Sequence, residues 1–340
     1  MGRTRPPLGR NNPFGAGVDA TGRLWVAERV DYPNELTTNR IGRDNIKILE
    51  DTNGDGRCDK VTVFATGLNV PTSIVFAHGG VIVSQAPDFL FFKDTNGDDI
   101  ADVREILNTG WGIADTHAGP SNLRYGLNNR VWGTVGYSGF SGTRNGKDYR
   151  FGSGVFNMNA DGSDVTFLHQ FNNNTWGLGF NAAGDVFGST ANANTADIST
   201  DIRLSYTDTP GMSAKMIADS PNFHPITPNV RQVDAFGQYT AGAGYSFATS
   251  DRFPPSWQDS MAFISGPTGH LLGMFKNIPD GSGYKAINRF SVIASADEWF
   301  SPVSAEVGPD GNLWVADWYN FIIQHNPTPS QERGGYRGEN

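Results

Sequence analysis

Short apolar runs alternate along the chain with turns rich in Gly, Asn and Asp, and the same motif returns at intervals. It reads FGAGVDATGRLWVAE at 14–28, TSIVFAHGGVIVSQ at 72–85 and SNLRYGLNNRVWGTVG at 121–136. It returns as WGLGFNAAGDVFGST at 176–190 and VSAEVGPDGNLWVADW at 303–318. Each copy has a strand, a turn whose residues tolerate positive φ, and a second strand with a bulky residue at its centre. That is a β-hairpin pattern, and no helical periodicity competes with it.

With Trp25, Ile82, Trp132, Phe187 and Trp314 as markers, the spacings are 57, 50, 55 and 127. The last interval is about twice the others, so a unit is hidden inside it. WQDSMAFISGPTGHLLGMF (257–275) fills the gap, with Phe263 as its marker. Six units of this size predict an all-β fold, a six-bladed β-propeller of four-stranded antiparallel blades. A β-sandwich or β-helix with coincidental hairpins is the alternative. The predicted domain spans residues 1–326, and the polar tail 327–340 reads as a linker cut from a longer protein.

In a propeller the residues leading into each innermost strand ring one mouth of the channel. Aligning the units by their turns puts Arg10, Leu68, His117, Asn172 and Trp299 on that ring. Polar and aromatic groups around an opening suit a small-molecule ligand. Trp111, Trp176 and Trp318 also fall near mouth loops, whereas Trp25, Trp132 and Trp314 repeat with the units and are assigned to the core.

Composition sharpens this picture. The 42 glycines are about 12% of the 340 residues, against a usual ~7%. A net charge of −9 leaves no basic stripe for nucleic acid. No apolar run reaches the ~18 residues of a membrane span. No signal peptide is visible, and Cys58, the only cysteine, permits no intrachain disulfide.

The acidity gathers in two loops. In DTNGDGRCDK (51–60), Asp51, Asn53 and Asp55 alternate, followed by the Arg57 carbonyl and Asp59. In DTNGDDIADVRE (94–105), Asp94, Asn96, Asp98, Asp102 and Glu105 take comparable positions. Alternating oxygen donors around a turn are what Ca2+ needs. Thr62 stands where an EF-hand has its bidentate Glu, and Asp99 stands where it has Gly, so these are related loops of another kind. Plain Asn-Gly and Asp-Gly turns without metal are the alternative. A structural Ca2+ would suit a periplasmic or extracellular protein.

The segment HAGPSNLRYGLNNRVWGTVGY (117–137) resembles the His-x-Gly-x-x-Leu-x-(Phe/Tyr)-Gly stretch of the soluble quinoprotein family, the glucose/sorbosone dehydrogenase-type propellers. AEVGPDGNLWVADWYN (305–320) resembles their last blade. TPNVRQVDAFGQYTAGAGYSFATSDRFP, PTGHLLGMF and VADWYNFIIQHNPTP are similar to the propeller of planctomycete-type membrane-bound dehydrogenases, which precedes helical repeats and a cytochrome c domain. The resemblance implies that His117 is the general base for oxidation of a sugar or other alcohol by pyrroloquinoline quinone (PQQ). It implies that Asp115 orients the imidazole and that a cytochrome takes the electrons.

The family holds its quinone with Arg-Asn-Pro-x-Gly-Leu. The matching residues here are Asn173, Asn174, Thr175, Trp176, Gly177 and Leu178, so an asparagine replaces the arginine. Arg10, Arg231 or Arg289 is then the candidate guanidinium for an anionic cofactor, with Trp299 as a stacking surface. Two other readings stay open. One is a Ca2+-stabilised carbohydrate-binding propeller without redox activity, and the other a lactonase-type hydrolase. His78, His169, His224, His270 and His325 show no metal-ligand spacing, and packing or hydrogen-bonding roles are expected of them. No nucleophile elbow or phosphate loop appears.

Overall fold

The computed structural model describes residues 12–32, 39–171, 173–191, 205–206, 215–218, 224–227, 230, 239–320 and 323. The first sheet contains β1 (Asn12–Val18), β2 (Leu24–Arg29), β3 (Asp44–Glu50) and β4 (Lys60–Leu68), paired in that order. The second contains β5 (Ser73–Ala77), β6 (Gly80–Gln85), β7 (Asp88–Lys93) and β8 (Val103–Thr109). In the third, β9 (Pro120–Tyr125) and β10 (Val131–Val135) are followed by an inserted hairpin, β11 (Phe140–Arg144) and β12 (Lys147–Phe151). The sheet is completed by β13 (Gly154–Met158) and β14 (Thr166–Gln170).

The fourth sheet is β15 (Thr175–Phe180), β16 (Val186–Thr190), β17 (Ser205–Tyr206) and β18 (Lys215–Met216). The fifth is β19 (Ala243–Phe247), β20 (Met261–Gly266), β21 (Leu271–Asp280) and β22 (Gly283–Ala294). The last pair is β23 (Pro302–Val307) and β24 (Leu313–Asp317). All pairings between these strands are antiparallel.

The first strands of successive sheets touch in a closed ring, β1 to β5, β9, β15, β19 and β23, and β1 also meets β23 and β24. The fold is therefore an all-β propeller of four-stranded antiparallel blades, with first strands around the axis. All six marker residues of the repeat lie on the second strand of their sheets.

Buried apolar side chains fall into clusters that are each shared by two successive sheets. Trp25, Ile46 and Phe64 of the first sheet pack on Ile74 and Val81 of the second. Val75, Ile82 and Phe89 pack on Leu123 and Phe156. Val155 and Leu168 pack on Leu178 and Val186, and Phe187 on Tyr245 and Phe275. Met261 and Met274 meet Ala305. The circuit closes where Tyr32 of the first sheet packs with Val303, Trp318 and Ile323. Each large side chain so buried contributes about 1.5–3 kcal/mol, which is why β-sheet faces here must stack on one another.

The hairpin turns carry a repeated polar device. The Trp25 indole N–H donates to Asp19 at 2.9 Å, Trp132 to Asn128 at 2.9 Å and Trp314 to Asp310 at 2.9 Å. The bond ties each turn to its own second strand. Trp314, expected in the core, is 41% exposed, and Trp132 is half-buried; the side chains lie back over their turns instead.

Candidate functional site

Antiparallel order puts the β1–β2 and β3–β4 turns at one end of the first sheet. The β2–β3 and β4–β5 connections lie at the other end, with the corresponding connections of the remaining sheets. His117 lies in the β8–β9 connection, three residues before β9. Asn173 and Asn174 lie just before β15, and Trp299 just before β23.

Asp115 is brought to His117 by a tight turn. Its Oδ1 accepts the His117 backbone N–H at 2.8 Å and faces Nδ1 at 3.2 Å. Because a carboxylate only accepts, Nδ1 carries the proton and the lone pair of the neutral ring is on Nε2. Nε2 is in hydrogen-bond contact with the hydroxyl of Tyr32. That hydroxyl also lies 3.1 Å from the carbonyl oxygen of Ile323.

Tyr32 is 3% exposed and stands on the β2–β3 connection. The Arg29 guanidinium covers its ring at 4.4 Å, and the Trp318 ring meets it edge-on at 4.5 Å. The connection is fixed from below by Asp44. The Asp44 carboxylate accepts the backbone N–H groups of Val30, Asp31 (2.9 Å) and Val70 (2.6 Å). Burial pushes the Asp44 pKa up, although these three bonds and the nearby Arg29 favour the ionised form. Asp31 adds an ion pair to Arg43 at 2.9 Å.

On the other side of His117, the Asn174 side-chain amide donates to the His117 carbonyl at 3.2 Å. Asn173 is fully buried; its side-chain oxygen accepts from the Tyr137 hydroxyl and from the Asn174 backbone N–H at 2.6 Å. Asn173 Nδ2 and Asn174 Oδ1 are buried without a hydrogen-bond partner. Buried polar atoms are normally paired, so two orphans beside His117 mark a place where a ligand can complete the bonding. Trp299 packs against Tyr319 at 6.0 Å, and the adjacent Trp318 continues the aromatic surface to Tyr32.

The structure thus joins Asp115, His117, Asn173 and Asn174, while Trp299 pairs with Tyr319, the residue after Trp318. Tyr32, Arg29 and Tyr137 were not among the candidates read from the sequence. Their signal was weak, for Tyr32 sits in a Val-Asp-Tyr-Pro connection outside the repeated hairpin. Trp176 is buried, and its carbonyl accepts from Asn122 at 2.9 Å.

Other candidates fall elsewhere. Arg289 is exposed on β22, the outermost strand of the fifth sheet. Arg10, Asn172, Arg231, His325 and the tail 327–340 lie outside the described residues. Leu68 is buried at the end of β4 and packs in the core. Trp111 is also core, stacked on Phe89 at 4.7 Å. His270 packs as expected, its Nδ1 2.8 Å from the Phe300 carbonyl, whereas His224 is exposed.

The two acidic loops join β3 to β4 and β7 to β8, at the end of their sheets opposite Tyr32 and His117. The seven residues of β8 alone separate them from the β8–β9 connection by roughly 20 Å. Asp51 accepts backbone N–H groups from Gly54 (2.7 Å) and Gly56 (2.7 Å), and Asp94 from Gly97 (2.7 Å) and Asp99 (2.8 Å). These bonds hold both carboxyls below the usual carboxylate range. Asp55 accepts from the Arg57 N–H, and Asp59 and Asp102 close the loops on Thr52 and Thr95. Asn53 and Asn96 accept from Asp55 and Asp98, and Asp98 from Ile100. Glu105 is exposed on β8. Among the described residues no three His, Cys, Asp or Glu side chains are grouped as metal ligands. No helix among them is long and apolar enough to cross a membrane.

Residues 9–337 match the profile of a family described as Domain of unknown function (DUF7133). No curated protein sequence matches the chain. Among solved structures, the PQQ-bound aldose sugar dehydrogenase of Streptomyces coelicolor is 14% identical with a TM-score of 0.56, covering 90% of this chain and 87% of that one. The holo pyranose dehydrogenase PQQ domain of Coprinopsis cinerea is 15% identical at 0.56, over 92% and 91%. A calcium structure of a Trichoderma reesei family AA12 carbohydrate-active enzyme is 12% identical at 0.55, over 91% of each chain. At these identities the likeness is one of fold, that of the soluble sugar dehydrogenase propellers.

Proposed function

The chain belongs to the family described as a domain of unknown function (DUF7133), and we propose that it is a quinoprotein-type dehydrogenase on a six-bladed propeller, oxidising a sugar or other alcohol. The observation that supports this reading is His117, with Asp115 on Nδ1 and two orphaned amide atoms nearby. Asp115 keeps the ring in the tautomer with a basic Nε2 and stabilises the imidazolium that forms when a proton arrives.

Of the two orphaned atoms, Asn173 Nδ2 is a donor that suits an oxygen of an anionic quinone, whereas Asn174 Oδ1 is an acceptor that suits an N–H or O–H of the ligand. Asn173 and Asn174 would hold PQQ, and Trp299 would supply a face for it. When bound, PQQ supplies the two-electron acceptor for the hydride leaving the alcohol carbon. Asn173 gives one neutral donor where the family's arginine gives a charged fork, so affinity below that of an arginine-bearing relative is expected. A cytochrome-type acceptor and a periplasmic or surface location belong to the same reading, supported by the resemblance of the sequence.

Calcium is assigned to the two acidic loops as a structural ion, drawing together Asp51, Asn53, Asp55, the Arg57 carbonyl and Asp59 in one. In the other it takes Asp94, Asn96, Asp98, Asp102 and Glu105. The alternating oxygens of the two loops support this. Their place at the far end keeps the ion away from substrate.

The test is dye-linked oxidation of a panel of sugars and alcohols by the pure protein supplied with PQQ and Ca2+. Turnover that His117→Ala abolishes supports the reading; no PQQ binding and no turnover sinks it. The Asn173 substitution favours a second reading, a carbohydrate-binding propeller without redox activity. Sugar binding by calorimetry that is indifferent to PQQ would establish that one instead.

A further inference from the structure

Nε2, the only nitrogen of His117 left to act as a base, is already in contact with the Tyr32 hydroxyl. A proton taken up at Nε2 must therefore either break this hydrogen bond or pass through the Tyr32 oxygen. We propose that Tyr32 is a further catalytic residue, the group that takes the substrate's proton and passes its own to His117. The proposal rests on the dehydrogenase reading above.

The geometry gives the hydroxyl two acceptors for one proton. With His117 neutral, Tyr32 donates to the Nε2 lone pair. With Nε2 protonated, the imidazolium donates to the Tyr32 oxygen, and the phenol hydrogen turns to the Ile323 carbonyl, 3.1 Å away. The hydroxyl thus has a hydrogen-bonded position in both states of the base, and no buried donor is stranded as the proton moves. The ring itself stays put. Arg29 covers one face, Trp318 packs its edge and Asp44 fixes the connection that carries it. Among the described residues, Asp115 on Nδ1 and the Arg29 guanidinium over the phenol are charged groups that face the pair.

In the step, the alcohol O–H bond breaks and its proton goes to the Tyr32 oxygen. The Tyr32 proton passes to Nε2 in the same event. The C–H bond breaks with its electron pair, which leaves as hydride to an ortho-quinone oxidant. The alcohol becomes a carbonyl, oxidised by two electrons; the quinone is reduced by two. The imidazolium, held by Asp115, returns its proton to water between turnovers.

The test compares Tyr32→Phe with the wild-type protein by two readouts. The first is nitrogen NMR of His117 across a pH series, which needs no cofactor. Removing the hydroxyl is expected to shift the Nε2 resonance and move its titration midpoint; an unchanged resonance and midpoint overturn the proposal. The second is turnover with PQQ and Ca2+. Tyr32→Phe is expected to lower kcat by about 100-fold with KM within about twofold, and an unchanged kcat and pH profile overturn the proposal. If the wild-type protein shows no turnover, the dehydrogenase reading fails, and the NMR arm alone decides whether Tyr32 and His117 share a proton. Should Tyr32→Phe not fold, 3-fluorotyrosine at position 32 keeps the ring and makes the hydroxyl more acidic. It is expected to move the pH midpoint of kcat and the His117 titration together, and movement of neither overturns the proposal.

Discussion

Tyr32 and His117 meet although they come from sheets that are not neighbours. Tyr32 extends from the first sheet and His117 precedes the third. A contact of this kind cannot be made by one hairpin or one pair of units. It depends on the ring being closed, and it places the candidate base where loops from several sheets converge.

Asp115 reaches Nδ1 from a half-exposed position, so its removal is expected to act on chemistry more than on folding. Asp115→Asn keeps the shape but loses the charge that stabilises an imidazolium. Turnover is expected to fall by about 10- to 100-fold with the melting temperature nearly unchanged. Steady-state kinetics beside a thermal melt checks both halves.

Gly136, just after β10, stands close against Asn174. A Cβ there would stand 1.7 Å from Asn174 Oδ1 and 2.8 Å from the Ala118 Cα. Gly136→Ala is therefore expected to cost about 1–3 kcal/mol and to displace the Asn174 bond to the His117 carbonyl. Denaturant unfolding gives the loss, and PQQ or sugar affinity is expected to fall with it.

Asp19 anchors the first hairpin. Burial alone would raise its pKa, but bonds from Thr21, Trp25 and Arg23 outweigh that and hold it well below the carboxylate range. Its stabilising effect is present above the ordinary pKa near 3.9 and is lost as pH falls towards the folded value. Asp19→Asn is expected to cost about 1.5–3 kcal/mol at neutral pH, with the difference shrinking from about pH 4 downward. Urea unfolding of both proteins at several pH values measures this.

The acidic loops and the site lie at opposite ends, so they can be separated by mutation. Asp51→Ala combined with Asp94→Ala is expected to abolish any rise of melting temperature on adding Ca2+. Turnover per folded molecule is expected to be unchanged. A Ca2+ response that survives in the double variant would remove calcium from these loops.

Much of the architecture was legible because each hairpin carries its own instructions. A turn tolerant of positive φ and a bulky residue four to six places on located Trp25, Trp132 and Trp314 on second strands, and spacing alone located Phe263 on β20. His117 and Asp115 were legible because the pair is local. Tyr32 was not, since its partner is in another unit and nothing near it in sequence repeats. Arg289 was named only as one of three arginines that could replace the missing guanidinium, and the structure puts it on β22, the outermost strand of the fifth sheet. The β11–β12 hairpin was missed because it interrupts a sheet instead of extending the repeat.

The packing of Tyr32 on Val303, Trp318 and Ile323 has a consequence in time as well as in space. The residue that touches His117 follows the first sheet's second strand, yet the surface that seats it is made by residues that lie far later in the sequence, around the last pair of strands. A chain can build five sheets and still leave Tyr32 without the side chains that seat it. The Tyr32–His117 contact is complete only when the first and last strands of the ring meet, so a molecule clipped before Val303 is expected to lose it.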